Sequence, residues 1–274
     1  MAPLSQYAGT RELLVNLTQR ELRGRYRRSV LGWTWSLLNP LSNVLIYTLV
    51  FSFFLRIQPP TGQPSGLHVF ALFLLCGLIP WNLFQGGVTG GMGVLVSNGN
   101  LIKKVYFPRE LLVASTVASL VITSLIEFGV LIAVLILFGN IAIVWIPPLL
   151  LVMAIQIVFV LGIALALSVW NVYLRDLEHL TNILIQVIFY LTPIVYPIRY
   201  VPKTAHIFGT KLPARFIYNI NPMVHFVGAY RSLLYDLAFP SVGSMAYMTA
   251  WAIGSIVFGY YMFQRFQQRI AEEV

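Results

Sequence analysis

The chain has 274 residues, 58% of them hydrophobic and only 10% charged, with a mean hydropathy of +0.79 and a formal net charge of +9. That composition excludes a soluble globular fold and describes an integral membrane protein, whose excess of Lys and Arg belongs at the cytoplasmic face beside anionic headgroups. No nucleic-acid partner is expected, and the single cysteine, Cys76, excludes an intramolecular disulfide framework.

At the N-terminal end, RELLVNLTQRELRGRYRRSV (residues 11–30) is too polar to cross a bilayer. Val15, Leu22, Tyr26 and Val30 follow helical spacing while Arg20, Arg23, Arg27 and Arg28 hold much of the remaining surface. This pattern predicts a basic amphipathic helix lying in the membrane interface, although a charged flank that only fixes topology has the same composition. No cleavable signal pattern is expected before the first span. Residues 1–32 are therefore read as a cytoplasmic interface segment and 33–274 as a transmembrane domain.

Crossing a hydrocarbon core of about 30 Å takes roughly 20 helical residues. Six apolar runs meet that length, at 33–55, 69–96, 111–138, 149–170, 180–198 and 244–263, which predicts an all-α polytopic membrane protein. Pro80 kinks the second run, which stays helical only if neighbours satisfy the freed main-chain carbonyl. Gly86, Gly87, Gly90 and Gly91 supply small-xxx-small spacing for close helix packing. Six Lys or Arg precede the first run, three follow the second, one the fourth and two the sixth, so one face collects twelve. The positive-inside bias then places both termini in the cytoplasm, with the loop at 97–110 on the same side.

The fifth connection, 199–243, holds Pro202, Pro213, Pro222 and Pro240 and a half-apolar stretch broken by Asn219, Asn221, His225, Arg231 and Asp236. Too polar for a lipid-facing span and too apolar for a free loop, it predicts short helices re-entering the outer leaflet against other protein. A solvated extracellular cap is the alternative. Trp33, Trp35, Trp81, Trp145 and Trp170 are placed in interfacial belts, whereas Tyr47, Phe51, Phe54, Tyr190 and Tyr196 are candidates for a translocation path, since aromatic faces stack on sugar C–H faces. Glu127 is an acid deep in a span, read either as a pathway or gating group or as a packed, hydrogen-bonded residue.

Catalytic and metal-binding patterns are lacking. There is no phosphate-binding loop of the G-x-x-x-x-G-K-[ST] type, the four histidines are scattered, and two aspartates cannot form the paired clusters that hold Mg²⁺ on a diphosphate. Neither catalytic, cofactor-binding nor metal-ligating residues are expected.

Three stretches, RGRYRRSVLGWTWSLLNPL (23–41), NLIKKVYFPREL (100–111) and NPMVHFVGAYRSLL (221–234), resemble the signature segments of ABC-2 type permease subunits that export lipid-linked polysaccharides such as O-antigens and teichoic acids in bacteria. The resemblance spans essentially the whole chain. It implies a homodimeric permease in the inner or plasma membrane, with two copies of a separate ATPase subunit that holds ATP and Mg, and a polyprenyl-diphosphate-linked glycan as substrate. It assigns contact with the ATPase to Lys103, Lys104, Tyr106, Phe107, Pro108 and Arg109, with a second contact at Arg175, Asp176 and Glu178. Aromatics and Arg are favoured interface anchors, which agrees. The resemblance further implies entry of the pyrophosphate-lipid end at Arg23, Arg25, Arg27 and Arg28, whose guanidinium groups match phosphate oxygens in a bidentate fork. A gate is implied at Asn219, Asn221 and Pro222. The rival readings are an ABC-2 permease for a drug or small lipid, and a membrane enzyme acting on lipid-linked sugars.

Overall fold

The computed structural model describes residues 4–26, 34–54, 56, 59–105, 107–202, 204–207, 210–267 and 270. Along them run helix α1 (Leu4–Tyr26), α2 (Trp35–Tyr47, continued by a π-helical stretch Thr48–Phe54), α3 (Phe70–Ser97), α4 (Gly99–Lys104), α5 (Glu110–Leu137), α6 (Ile146–Tyr173), α7 (Leu177–Tyr190), α8 (Ala214–Ile220), α9 (Pro222–Arg231) and α10 (Val242–Phe266). Among the described residues four of these are long and apolar enough to cross a membrane: α3, α5, α6 with the 3-10 turn before it, and α10.

α3 is the buried axis of the bundle. Its glycines divide between two neighbours: Gly86 and Gly90 face Leu120 and Thr116 of α5, while Gly87 and Gly91 face Val160 and Ala164 of α6. A Cβ at Gly91 would lie 2.7 Å from that of Ala164, so the backbone can approach α6 only without a side chain there. α6 in turn crosses α10 where Gly162 meets Gly259. The aromatic layer Phe84, Phe159 and Phe226 stacks through α3, α6 and α9, with ring centroids 5.9 and 5.5 Å apart.

Four expectations need correction. The fifth span does not run through 180–198: α7 stops at Tyr190 after 14 residues and turns follow over 191–196. Pro193 has no N–H to continue the ladder, and it disfavours helical backbone at Thr192. At 1.5 Å per residue, α7 reaches only about two thirds of the way across a hydrocarbon core. Secondly, the fifth connection is not built of short helices alone, because Ala205–Ile207 (β1) and Thr210–Leu212 (β2) pair antiparallel there within a fold that is otherwise helical. Thirdly, the N-terminal helix begins at Leu4, and its packed face is Leu13, Leu14, Leu17, Thr18 and Leu22, with Val15 turned outward. That face is selected by packing on α5. Fourthly, Trp81 lies in the middle of α3 and is buried rather than interfacial, because a residue 12 positions into a 28-residue helix is far from either headgroup layer.

Candidate functional site

Polar groups inside an apolar bundle must find partners, and here side chains supply them to main-chain carbonyls. Gln156, fully buried in α6, donates Nε2 to the Pro80 carbonyl at 2.7 Å and accepts the Tyr230 hydroxyl at 2.8 Å. Tyr230 stacks on Phe128 of α5, centroids 5.2 Å apart. Asn140 donates to Leu234 O at 3.0 Å and Asn171 to Met92 O at 3.4 Å. Arg231, at the end of α9, donates to the carbonyls of Phe73, Pro193 and Ile194. Nearby, burial raises the Asp236 carboxyl above its usual range, against the opposing pull of the Gln63 main-chain N–H and of Arg231.

Between α2, α3 and α7 these fixed helices leave a cleft of about 460 Å³, lined by Tyr47, Leu78, Trp81, Asn82, Gln85, Asn182, Ile185, Gln186, Phe189 and Tyr190. Its walls combine aromatic faces with four carboxamides. Asn82 and Gln85 share one face of α3 by i,i+3 spacing, and Asn182 and Gln186 share one face of α7 by i,i+4 spacing. Trp81 is held by its Nε1–H on Gln85 Oε1 at 2.9 Å and by edge-to-face contact with Phe189 at 5.4 Å. Each carboxamide offers two donors and an acceptor, the complement of a sugar hydroxyl array. A second cavity of about 630 Å³ lies between α6 and α10, reaching Ile188 and the Asn221–Met223 turn, and its walls are almost entirely hydrocarbon.

Of the aromatic path candidates, Tyr47 and Tyr190 line the first cleft together. Phe51 flanks it by packing on Tyr47 and Phe70, and Tyr196 sits at its end, donating to Tyr190 O at 2.7 Å. Phe54 is exposed and packs edge-on to Phe53. Glu127 lines a separate small pocket with Leu41, Leu75, Ile79 and Leu131 and is not among the residues of the cleft. Sequence reasoning missed the four carboxamides and Gln156. Their signal was polar residues at helical spacing inside otherwise apolar runs.

At the opposite end of α3 the basic loops gather. Lys103 and Lys104 are exposed at the end of α4, Pro108 is exposed, and Phe107 packs partly against the core. Arg109 turns inward to donate to the Gln267 carbonyl past α10, and Tyr173 donates to Phe266 O at 3.3 Å, so both cytoplasm-predicted loops converge on one helix end. Arg175 and Asp176 are exposed in the turn between α6 and α7, and Glu178 is exposed in the first turn of α7. Arg20 ties α1 to the α3–α4 corner through Asn98 at 2.5 Å, and Arg23 is exposed beside it. Arg25 lies on the last turn of α1; Tyr106, Arg27 and Arg28 fall outside the described residues.

The predicted gate residues meet where α8 gives way to α9. Asn221 caps α9 by accepting Met223 N–H at 2.9 Å, with Pro222 at the first helical position, a placement that suits a residue without an N–H. Asn221 also donates to Thr192 Oγ1 at 2.9 Å, which ties the α8–α9 break to the break after α7. The Asn219 carbonyl holds His225 Nε2 at 2.9 Å, and the His225 ring packs on Tyr247 at 4.5 Å.

Comparison with known proteins agrees with this architecture. The family model described as ABC-2 type transporter matches residues 12–235. The O-antigen export system permease protein RfbA of Klebsiella pneumoniae is 30% identical over 266 residues, covering 95% of this chain and 94% of that protein. The protein of the same name from Myxococcus xanthus is 30% identical, covering 92% and 93%. The polysialic acid transport protein KpsM of Escherichia coli is 26% identical over 67% of this chain and 69% of its own length.

Proposed function

The chain belongs to the ABC-2 type transporter family, and from that premise we propose that it is the permease subunit of a polysaccharide exporter in the bacterial inner membrane. The substrate is a polyprenyl-diphosphate-linked glycan moved from the cytoplasmic to the outer side, driven by two copies of a separate ATPase. Two copies of this chain form the pathway, each crossing the membrane six times with both termini inside. α2 with its π-helical extension and the broken α7 supply the crossings beyond the four long helices.

The observation that carries the reading is the aromatic–amide cleft beside Tyr47, Trp81 and Tyr190. Carboxamides inside a membrane segment are expensive unless they serve a polar passenger, and these four face one space. The cleft is a wall rather than a tube, flanked by exposed apolar side chains such as Leu45 and Ile46 of α2 and Leu184 and Val187 of α7, which a second copy would cover. Arg23, Arg25, Arg27 and Arg28 are assigned to the anionic lipid end of the substrate. Lys103, Lys104, Tyr106, Phe107, Pro108 and Arg109, with Arg175, Asp176 and Glu178, are assigned to the ATPase, and Asn219, Asn221 and Pro222 to the gate.

The test is co-purification with the candidate ATPase and ATP hydrolysis in lipid nanodiscs, comparing wild type with a Tyr106→Ala/Phe107→Ala double variant. A stable complex that the variant uncouples supports the reading; absence of any associated ATPase sinks it. The hydrocarbon cleft between α6 and α10 favours a second reading, export of a lipid or hydrophobic small molecule. Accumulation of lipid-linked polysaccharide inside depleted cells decides against that rival.

A further inference from the structure

Two liabilities meet where α7 breaks. A guanidinium withdrawn from water is costly, and so are main-chain carbonyls left without helical partners inside a membrane. Arg231 is buried, yet its Nε donates to Phe73 O at 3.2 Å while its two terminal nitrogens donate to the carbonyls of Pro193 and Ile194. The same guanidinium lies 3.7 Å from the centroid of the Phe73 ring. One side chain thus leaves α9, crosses α3 and ends on the chain just beyond α7. Three carbonyls and a ring face are its close partners, and the Asp236 carboxylate adds electrostatic attraction.

The passage across α3 has its own mark in the sequence. A Cβ at Gly77 would lie 2.9 Å from Arg231 Nη2 and 3.4 Å from Cζ, so the glycine is the gap through which the guanidinium reaches the break. A lysine could not replace it. An ammonium is a point charge, whereas the planar fork addresses carbonyls of two elements while lying flat on a ring.

We propose that Arg231 is a positioning residue for the aromatic–amide cleft. By clasping Pro193 and Ile194 to Phe73 it anchors the end of α7, which Pro193 sets, against α3, and so holds Phe189 and Tyr190 opposite Trp81 and Tyr47. Its consequence for transport rests on the export reading above, while the clasp itself does not.

The experiment compares wild type with Arg231→Lys and Gly77→Ala by hydrogen exchange of the purified chain in nanodiscs, and by polysaccharide exported per ATP hydrolysed in proteoliposomes with the ATPase. Peptides across 189–198 should exchange about tenfold faster in Arg231→Lys, as loss of one charge-assisted hydrogen bond implies, with α6 unchanged. Gly77→Ala should show a smaller rise, because it displaces the guanidinium without removing it. Export per ATP should fall in both, whereas a purely structural role lowers the amount of folded protein and leaves that ratio at the wild-type value. Unchanged exchange across 189–198 overturns the clasp, and faster exchange with wild-type export per ATP overturns the positioning role. If Arg231→Lys fails to insert, Gly77→Ala decides both. A wild-type chain that exports no polysaccharide overturns the export reading alone, since the exchange arm still decides the clasp.

Discussion

Gln156 of α6 donates to the Pro80 carbonyl of α3 at 2.7 Å, so a polar side chain buried on one membrane helix is satisfied on the main chain of the next. The Tyr230 hydroxyl depends on the same side chain. Gln156→Leu is expected to leave the buried Tyr230 hydroxyl without its acceptor and to destabilise the bundle by about 1–3 kcal/mol. Tyr230→Phe, which removes one bond and keeps the stacking on Phe128, should cost about 1 kcal/mol. Thermal or denaturant unfolding in detergent measures both, and equal losses would show that Pro80 is not a partner that matters.

The glycine strips of α3 make a packing prediction with an internal control. Gly91→Ala is expected to destabilise by about 1–3 kcal/mol, because the new methyl meets Ala164 at a distance that real side chains do not adopt. Gly93 has nothing within 4 Å of its would-be Cβ. There Gly93→Ala should be neutral or stabilising by up to about 1 kcal/mol through helix propensity. The two melting curves, run side by side, separate close approach from propensity.

Removing single carboxamides from the cleft should slow export without changing membrane levels. Asn82→Leu and Gln186→Leu each delete a hydrogen-bonding group from the wall, and a loss of about one bond corresponds to roughly tenfold in rate. Surface polysaccharide and immunoblotted protein are the paired measurements. Gln85→Leu should do more harm to folding, since Gln85 also holds the Trp81 indole. Glu127→Gln, in a pocket apart from the cleft, should leave export unchanged if the cleft is the path.

Lys103 and Lys104 are exposed, so their contribution to an ATPase interface is electrostatic and screened by salt. Lys103→Glu/Lys104→Glu is expected to weaken association by about tenfold at low ionic strength and by less at high salt. Binding of the purified partner over a salt series checks this. A loss that does not depend on salt would point instead to a disturbed α4.

Much of this architecture was readable in the residues, and the reasons for the misses are physical. Long runs such as 111–138 and 149–170 announced α5 and α6, because lipid demands uninterrupted apolar length. The run at 180–198 misled, since hydropathy averages over Pro193 and Pro197 while backbone geometry does not. Tyr47 and Tyr190, picked out by residue type, do line one cleft together. Asn82, Gln85, Asn182 and Gln186 were not, because an apolar window conceals a lone amide, and only helical phase joins four of them into a wall. Trp81 was misread for a related reason: a tryptophan suits a headgroup layer in general, and its depth is known only once the ends of α3 are.

The burial of α3 has a consequence for how the protein is made. This helix carries Pro80, Asn82, Gln85 and six glycines, and its shelter comes from α5, α6 and α9, which are all synthesised after it. When α3 first leaves the ribosome it therefore faces lipid with a polar stripe and no groove-filling partners. Its place in the bilayer becomes secure only as later segments arrive, so assembly of this chain is a late, collective event rather than the sequential stacking of self-sufficient helices.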